Sequence, residues 1–295
     1  LLAVARLAGA IGREGVALVH THSSVDAWVA GMAARLKRVP VIRSRHVSIP
    51  IRRSWNPVYS VLADRILTSG EAIRRLVIGA GVSPATVMAA PAGVDFGEFM
   101  PGPDSGRIRA ELGLTPPVIG SVAMFRGSKG HQHLLDAFGI VLREYPTARL
   151  LLVGDGVRRR WVEQLAGEKG LSHVVSFTGF RPDVADLLRA MDCFALASVR
   201  TEGVPQSLLQ ALATELPVVA SAIGGIPEVV EHQVTGLLVP PGDPAALAEG
   251  ILTVLGQPDL ARRLAKGGRQ LAERRFSRAV ATQRLIALYE ELLAR

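Results

Sequence analysis

Two side chains in the stretch Thr201 to Ser221 have a spacing that suits the binding of a hydroxyl-rich ligand. Glu202 lies in a Thr-Glu-Gly-Val-Pro turn, and Gln210 follows it by eight residues, about two turns into the helix that this turn opens. A carboxylate before a helix N-terminus is favoured by the helix dipole, so a capping role alone would account for Glu202. The alternative is that Glu202 accepts hydrogen bonds from sugar hydroxyls while Gln210 reaches a ribose. Gly203 permits close backbone approach, and Pro205 suits the first helical turn.

Further polar side chains occur in loops that follow apolar runs. "VIGSVAM" is followed by "FRGSKG", which contains Arg126 and Lys129. Two cations near a helix start, together with backbone N–H groups, would neutralise a diphosphate. The loop is not a P-loop, and the Gly-Asp-Gly sequence at 154–156 lacks the third glycine of a dinucleotide fingerprint. Phe180 and Arg181 follow a third apolar run, "VVSFTG".

Short apolar runs alternate with helical patterns along the chain, which predicts parallel sheets with helices on both faces. "GVDFGEFMPGPDSG" interrupts the alternation with four Gly and two Pro and is the predicted linker. Six strand candidates follow it. We therefore predict an α/β protein with two facing Rossmann-like domains and a cleft between them, where ligands would lie beyond the carboxyl ends of the strands. The predicted parts are an N-terminal domain at 1–103, a C-terminal domain at 104–276, and a C-terminal helix at 277–295 that packs back on the first domain.

The composition limits the class of protein. The chain has 295 residues, 48% of them hydrophobic, which is enough for two domain cores. The single cysteine, Cys193, excludes an internal disulfide, fits a reducing compartment, and lies in an apolar run that predicts a buried structural thiol. No run of about 20 uncharged apolar residues occurs, so no transmembrane helix is expected. The chain begins in a helical pattern without Met or signal-peptide features, and we expect the first strand and loop of the domain to be missing.

The formal charge of +8 is unevenly placed. Ten Lys and Arg lie in Arg35–Arg75, opposed only by Asp64 and Glu71. This stretch is either a solvated basic face or a surface for an anionic membrane or a phosphorylated acceptor, because Trp55 and Tyr59 beside its arginines suit a headgroup boundary. No helix-turn-helix, zinc-ligand or aromatic ribonucleoprotein pattern accompanies the charge, so no nucleic-acid partner is expected.

The ordered set of motifs resembles the family 4 glycosyltransferases. Glu202 and Gln210 are followed by "ELPVVASAIGGIPEVVEHQVTGLLVPPGDPAALAEGI". Before them, in the order of the family, come "VALVHTHSS", "VPVIRSRH", "ADRILTSGEAIRRL", "GVDFGEFMP", "VAMFRGSKGH", "LLLVGDG" and "FTGFRPDV". The resemblance covers nearly the whole chain. It implies a retaining transferase of the GT-B fold that uses a nucleotide-sugar donor and needs no metal or other cofactor.

The resemblance also implies roles for individual residues. Glu202 matches the first glutamate of an E-x7-E pair, beside the donor sugar, and Gln210 occupies the position of the second, which holds the ribose. Lys129 matches the lysine that pairs with the diphosphate, and Arg126 lies near the position of its arginine partner. His46 matches a histidine that contacts the transferred sugar. The other expected donor-site residues are Gly203, Val204, Gly154, Asp155, Phe180 and Arg181, the last two in the loop that borders the base. The expected acceptor-side residues are His20, His22 and Arg45, although the two histidines would fit a plain turn equally well.

These expectations combine into one function. The chain is expected to be a retaining hexosyltransferase acting on a glycan or lipid-linked acceptor in cell-envelope polysaccharide or lipopolysaccharide synthesis. It would be cytoplasmic or peripheral on the inner face of the cytoplasmic membrane. The alternatives are a sugar-nucleotide epimerase of the same fold and a catalytically silent sugar-nucleotide-binding protein, the latter motivated by Gln210 in place of glutamate. The absent fingerprint argues against a nicotinamide oxidoreductase.

Overall fold

The computed structural model describes residues 1–46, 49, 51, 56–103 and 106–294 and divides the chain into two compact units. The first unit comprises Leu1–Gly93 and Ala279–Arg295, and the second comprises Val94–Arg278. The division falls between Gly93 and Val94, one residue into the predicted linker rather than at residue 103, because Val94 and Phe99 contact the second unit. The Val94 N–H donates to the Phe276 carbonyl at 2.8 Å, and Phe99 is buried in the core of that unit.

The first unit is built on a four-stranded parallel sheet with the order β1-β2-β3-β4. Its strands are β1 (Val19–Thr21), β2 (Val41–Arg45), β3 (Arg65–Thr68) and β4 (Val87–Ala89), and its first helices are α1 (Leu2–Arg13), α2 (Ser24–Lys37) and α3 (Glu71–Gly79). A capping box starts α2, because the Ser23 hydroxyl accepts from the Asp26 N–H while the Asp26 carboxylate accepts from the Ser23 N–H. The parallel arrangement brings the residues after β1 and β2 to the same edge of the sheet.

The second unit is built on a six-stranded parallel sheet with the order β10-β9-β8-β5-β6-β7. Its strands are β5 (Val118–Val122), β6 (Arg149–Val153), β7 (Val175–Gly179), β8 (Cys193–Leu196), β9 (Val218–Ser221) and β10 (Leu237–Val239). Its helices are α4 (Arg107–Leu112), α5 (His131–Glu144), α6 (Arg159–Glu168), α7 (Val184–Arg189), α8 (Gln206–Ala213), α9 (Pro244–Gly256) and α10 (Pro258–Phe276). All six predicted strands form. The helical segment expected between β9 and β10 is only a short 3₁₀ turn, Ile226–Glu228, which follows two glycines and contains Pro227.

The strand order reverses between β5 and β8, which are neighbours in the sheet although they are far apart in the chain. Such a reversal opens a crevice at the carboxyl ends of the two strands, since their connections leave in opposite directions. Helices cover both faces of this sheet, so β8 is buried along its whole length. Burial, followed by the neighbouring Asp192, raises the pKa of Cys193 to about 12, which keeps the thiol protonated and inert.

The C-terminal helix α11 (Arg278–Leu293) packs on the sheet of the first unit. Leu288 and Leu292 are buried in a cluster with Ile42 and Leu67, the side chains that β2 and β3 present on one face. Apolar burial of this kind anchors a terminal segment that would otherwise fray.

The basic stretch Arg35–Arg75 does not form one exposed patch among the described residues. Arg43 and Arg45 are buried. Three other arginines form ion pairs, namely Arg35 with Asp64, Arg65 with Glu291, and Arg74 with Glu71. Those left exposed are Lys37, Arg38 and Arg75. Arg52, Arg53 and Trp55, which the sequence analysis placed at a headgroup boundary, lie outside the described residues.

Replacing Leu288 with alanine should destabilise the first unit by about 2–5 kcal/mol, because it leaves a cavity against Ile42 and Leu67. Hydrogen exchange followed by mass spectrometry should show faster exchange in β2 and β3 and unchanged exchange in β5. The control is Ile286→Ala on the same helix, at a side chain that is 48% exposed. Equal acceleration in both units would contradict the assignment of α11 to the first.

Candidate functional site

The loops after β5 and β8 are held together by backbone contacts. The Val199 N–H donates to the Ser128 carbonyl at 2.9 Å. Gly130 has a φ of +64° and lies so close to the Ala197 carbonyl that a Cβ at this position would overlap it. Only glycine satisfies both demands, which fixes the loop that carries Lys129 against the loop that carries Glu202.

Lys129 and Glu202 form an ion pair in this crevice, between Nζ and Oε2. Each side chain is 19% exposed, so the pair is shielded from most solvent screening. The other carboxylate oxygen of Glu202, Oε1, is buried and has no hydrogen-bond partner among the residues that the structure describes, and the same holds for the hydroxyl of Ser198 earlier in the loop. Buried polar atoms without partners are rare because they lose their hydration without compensation. These two are placed to meet a polar ligand.

The structure does not support a capping role for Glu202. Helix α8 begins at Gln206, and its N-cap residue is Pro205, which makes no side-chain capping hydrogen bond. Glu202 instead sits three residues before that proline, with its carboxylate turned toward Lys129.

A pair of glycines after β9 positions Glu202, and the sequence analysis did not identify them. The Gly225 N–H donates to the Glu202 carbonyl at 2.8 Å. A Cβ on Gly224, whose φ is +61°, would lie 2.5 Å from the Glu202 nitrogen. A Cβ on Gly225 would lie 2.6 Å from the Gly203 carbonyl carbon and 2.7 Å from the Val204 nitrogen. The only signal in the sequence was the Gly-Gly pair directly after a strand.

The Gly-Asp-Gly loop after β6 packs beneath the loop that carries Arg126. The Phe125 N–H donates to the Asp155 carbonyl at 3.0 Å, and a Cβ on Gly156 would lie 2.7 Å from the Phe125 carbonyl oxygen. Gly154 has a φ of +132° and abuts the Ala123 carbonyl. Gly154 and Asp155 therefore support the first loop through their backbone, while the Asp155 carboxylate accepts from the Gly156 N–H at 2.7 Å.

Arg126 and Gln210 lie on the two elements that flank the ion pair. Arg126 is exposed, and its guanidinium makes no hydrogen bond or ion pair within the described part of the chain. Gln210 is half-buried in the second turn of α8, and its carboxamide likewise has no partner among the described residues. Both side chains are thus available to a ligand.

Arg181 lies in an ion network rather than beside an open site. Its guanidinium donates to Asp183 at 2.8 Å and to Glu111 at 2.5 Å. The hydrogen bond from Arg181 holds the pKa of Asp183 far below its usual range, and the same guanidinium joins Asp183 at the start of α7 to Glu111 on α4. Its neighbour Phe180 is 82% exposed. Of the two residues expected to border a base, only Phe180 presents a free side chain.

Three histidines stack at the carboxyl edge of the first sheet. His22 Nδ1 lies 3.2 Å from His46 Nε2, and the two rings are nearly parallel at 5.5 Å. His20 stacks on His22 at 4.2 Å, and its two nitrogens lie 2.7 Å from the Tyr289 hydroxyl and 2.8 Å from the Ser44 hydroxyl. The cluster joins His20, His22 and His46, which the sequence analysis had placed separately.

Burial, followed by the neighbouring His22 and His46, lowers the pKa of His20 to about 4. Burial and His22 also lower the pKa of His46. The imidazole of His46 is mainly neutral at pH 7, so it can accept a hydrogen bond from a hydroxyl-bearing ligand. Both nitrogens of His20 are already engaged by the hydroxyls of Tyr289 and Ser44.

Arg45, expected on the acceptor side, is turned into the interior of the first unit. It is 7% exposed, and its guanidinium donates to the Tyr59 hydroxyl and to the Ile49 carbonyl.

Within the described ranges, no group of three or more His, Cys, Asp or Glu is placed to hold a metal ion. No helix in that part of the chain is both long and apolar enough to cross a bilayer.

Comparison with known proteins identifies two family models along the chain. The model described as Glycosyl transferases group 1 matches residues 104–271, and the model described as Glycosyltransferase Family 4 matches residues 1–98. Together they confirm the family resemblance that the motifs indicated.

Individual relatives agree with these models. The D-inositol 3-phosphate glycosyltransferase of Segniliparus rotundus is 29% identical over 94% of this chain, which spans 66% of that protein's length. The N-acetyl-alpha-D-glucosaminyl L-malate synthase of Bacillus anthracis is 29% identical over 64% of this chain and 49% of its own length. Among solved structures, the crystal structure of Anabaena Alr3699/HepE in complex with UDP and glucose is similar to this chain with a TM-score of 0.90 and 24% sequence identity. The match covers 98% of this chain and 81% of the Alr3699/HepE chain. This similarity confirms the GT-B fold class, with two Rossmann-like domains built on parallel sheets.

Gly225→Ala should destabilise the second unit by about 1–3 kcal/mol, because its Cβ collides with the backbone of Gly203 and Val204. The matched control is Gly139→Ala in α5, where a Cβ meets nothing within 4 Å and alanine should be neutral or stabilise by up to about 1 kcal/mol. Urea unfolding of both variants checks the difference. If the two variants have equal free energies of unfolding, the backbone at Gly203 and Val204 moves to accommodate the Cβ without a loss of stability.

Acidification should destabilise the second unit through His131. Burial, followed by Lys129, lowers its pKa to about 4, and its ring stacks on Phe125 at 4.3 Å. The unfolded chain takes up this proton near pH 6.5 and the folded chain only near pH 4, so stability falls as the pH drops between these values, by up to about 1.4 kcal/mol per pH unit.

In His131→Phe the free energy of unfolding should fall less between pH 6.5 and pH 4, because the unfolded variant no longer takes up a proton at this position. Urea unfolding at a series of pH values from 7 to 4 measures it, with the exposed His173→Phe as the control for the loss of one imidazole. A pH dependence identical to that of the wild type would show that His131 does not titrate differently on folding.

Proposed function

Since the chain belongs to the family of glycosyl transferases group 1, we propose that it transfers a sugar from a nucleotide-sugar donor to an acceptor hydroxyl with retention of the anomeric configuration. The observation that carries the proposal is the Lys129–Glu202 pair with its unpartnered Oε1, which lies where the strand order reverses. A related fold has been crystallised with UDP and glucose, which supports a donor of this class.

Lys129 acts on the diphosphate in this proposal. When the donor binds, its phosphates compete with Glu202 for the ammonium group, and the cation then stabilises negative charge as the bond between the sugar C1 and the phosphate oxygen breaks. The acceptor oxygen forms the new bond to C1 from the same face, and its proton passes to the departing phosphate oxygen. Arg126 and the backbone N–H groups at the start of α8 add donors to the phosphates.

Glu202 and Gln210 hold the two sugars of the donor. Glu202 Oε1 lacks a hydrogen bond, and a sugar hydroxyl supplies one without displacing an existing partner. The carboxamide of Gln210 both donates and accepts, so it can hold ribose hydroxyls, although without the additional strength of a charged acceptor. Phe180 offers an exposed ring to the base. No metal is required, because Lys129 and Arg126 supply the positive charge.

The acceptor proposal rests on the first unit. Neutral His46 at the sheet edge suits a hydroxyl group of an acceptor or of the transferred sugar, while neutral His20 is held by the hydroxyls of Tyr289 and Ser44. We propose that the acceptor is a glycan or lipid-linked molecule of cell-envelope or lipopolysaccharide synthesis, because the first unit is basic. The enzyme would meet this acceptor in the cytoplasm or at the inner face of the membrane. The names of the relatives do not specify such an acceptor, and none of those described above is an epimerase.

Titration calorimetry with UDP, GDP and ADP and their common sugar conjugates tests donor binding. Glu202→Ala should weaken one sugar nucleotide more than it weakens the bare nucleotide, because the carboxylate contacts the sugar. Binding without turnover would favour the silent binding protein, and release of an epimerised sugar without acceptor would favour the epimerase. If none of these nucleotides or sugar conjugates binds, the proposal of a donor site is contradicted.

Lys129→Ala should lower kcat by about 10²–10³-fold, as expected for the loss of one preorganised charge stabiliser. The control is Lys169→Ala, which removes a more exposed lysine of the same unit that pairs with Asp136 on the surface. Steady-state kinetics with the donor found by calorimetry measures both variants. Unchanged turnover of Lys129→Ala removes the residue from the mechanism.

A further inference from the structure

The net charge of the protein is confined to the first unit. This unit contains fourteen Lys and Arg against six Asp and Glu, whereas the second unit contains twenty of each. The whole formal charge of +8 therefore belongs to the unit that is proposed to receive the acceptor. Such an excess attracts anionic ligands over several ångströms beyond any single contact.

Two of these cations are buried side by side on β2. Arg43 and Arg45 alternate along the strand and so project from the same face, and each is 7% exposed. Both guanidinium groups stack on Tyr59, with their carbons 4.4 Å and 5.5 Å from the ring centroid. Both also donate to the same Tyr59 hydroxyl. The ring holds the two arginines in one place and lessens their repulsion.

Much of the donor capacity of this pair is unused. Arg43 Nε, Arg43 Nη1 and Arg45 Nε are buried and make no hydrogen bond to any residue in the described ranges. None of the ion pairs found among the described residues includes either arginine. The neighbouring carboxylates are committed elsewhere: Asp64 pairs with Arg35, Glu71 with Arg74, and Asp26 accepts from backbone N–H groups at the start of α2.

Two buried cations without a counter-ion destabilise a fold. Desolvation of each charge costs several kcal/mol, and apolar side chains of similar volume are usually neutral or stabilising at such positions. The arrangement is therefore explained by an anion that binds between them. Arg45 is the last residue of β2, so the anion would lie near the carboxyl end of this strand, beside the Tyr59 ring that both guanidinium groups contact.

We propose that Arg43 and Arg45 bind a phosphate group of the acceptor. A phosphate matches the pair in charge, and its oxygens can accept from an unpartnered N–H group of each arginine. The proposal rests on the glycosyl-transfer function for the identity of the ligand as an acceptor. The phosphate belongs either to a soluble phosphate ester or to a lipid headgroup, and both present the same chemistry to this site.

The first test is thermal unfolding with and without inorganic phosphate, at constant ionic strength and without any sugar nucleotide. Phosphate at ten times its Kd should raise the midpoint of the wild type by about 3 °C or more, and this rise should vanish in Arg43→Met. The control Arg75→Met, which removes an exposed arginine of the same unit, should keep it. Lys129→Ala should also keep it, since that cation belongs to the proposed donor site of the second unit.

The unliganded Arg43→Met protein should melt at or above the wild-type temperature, because the variant no longer buries that charge. If this variant and Arg45→Met both fail to fold, Arg43→Lys provides the test. It keeps the charge and loses the fork, so the phosphate-dependent rise should shrink without disappearing. A full rise in Arg43→Lys, or a rise that persists in Arg43→Met, overturns the proposal.

Sedimentation with vesicles distinguishes the two sources of phosphate. If the ligand is a headgroup, Arg43→Met should bind phosphatidylglycerol vesicles several-fold more weakly than Arg75→Met does. If the ligand is a soluble ester, the two variants should bind these vesicles equally, while only Arg75→Met still responds to inorganic phosphate. If Arg43→Met behaves like Arg75→Met both in the vesicle assay and in the inorganic phosphate assay, the site is refuted. Since neither assay uses a donor or measures turnover, a refuted site leaves the proposed transfer untouched, and lost turnover leaves this site untouched.

Discussion

The approach of the loops after β5 and β8 is the constraint on which the candidate site depends. These strands are neighbours because the order of the parallel sheet reverses between them. Gly130 lets the first loop lie against the Ala197 carbonyl, and the hydrogen bond from Val199 to Ser128 fixes the register of the two loops. With any side chain at Gly130, the backbone would separate and Lys129 would lose its position beside Glu202. The geometry of the site therefore originates in the backbone and only afterwards in its charges.

The charges then give this crevice its chemistry. Lys129 occupies one oxygen of Glu202 and leaves the other buried and unpartnered, so the pair is stable without a ligand and still has an unsatisfied acceptor. Glycines 224 and 225 press the Glu202 backbone from the side of β9, which limits how far the carboxylate can move. A preorganised site of this kind loses little entropy when a substrate arrives, because its side chains are already held.

The two units differ in their net charge and in the polar groups that they bury. The second is neutral overall, whereas the first carries the whole excess of positive charge and keeps two arginines in its interior. Burial and neighbouring histidines lower the pKa of His20 and of His46, so these two imidazoles are largely neutral in the unit that also buries two cations. This combination suits a ligand that has both hydroxyl groups and negative charge.

The sequence by itself determined the fold class, the six strands of the second unit and the residue types at the site. Apolar periodicity is local, and polar side chains after strands of a parallel sheet share an edge. Only the tertiary structure decided which side chains meet. Lys129 reaches Glu202 from 73 residues away, Arg181 is drawn into a network with Glu111, and Arg43 and Arg45 are buried rather than exposed in a basic face. These outcomes depend on strand order and on the packing of Tyr59 and the glycine pair after β9, and such long-range contacts leave no local pattern in the sequence.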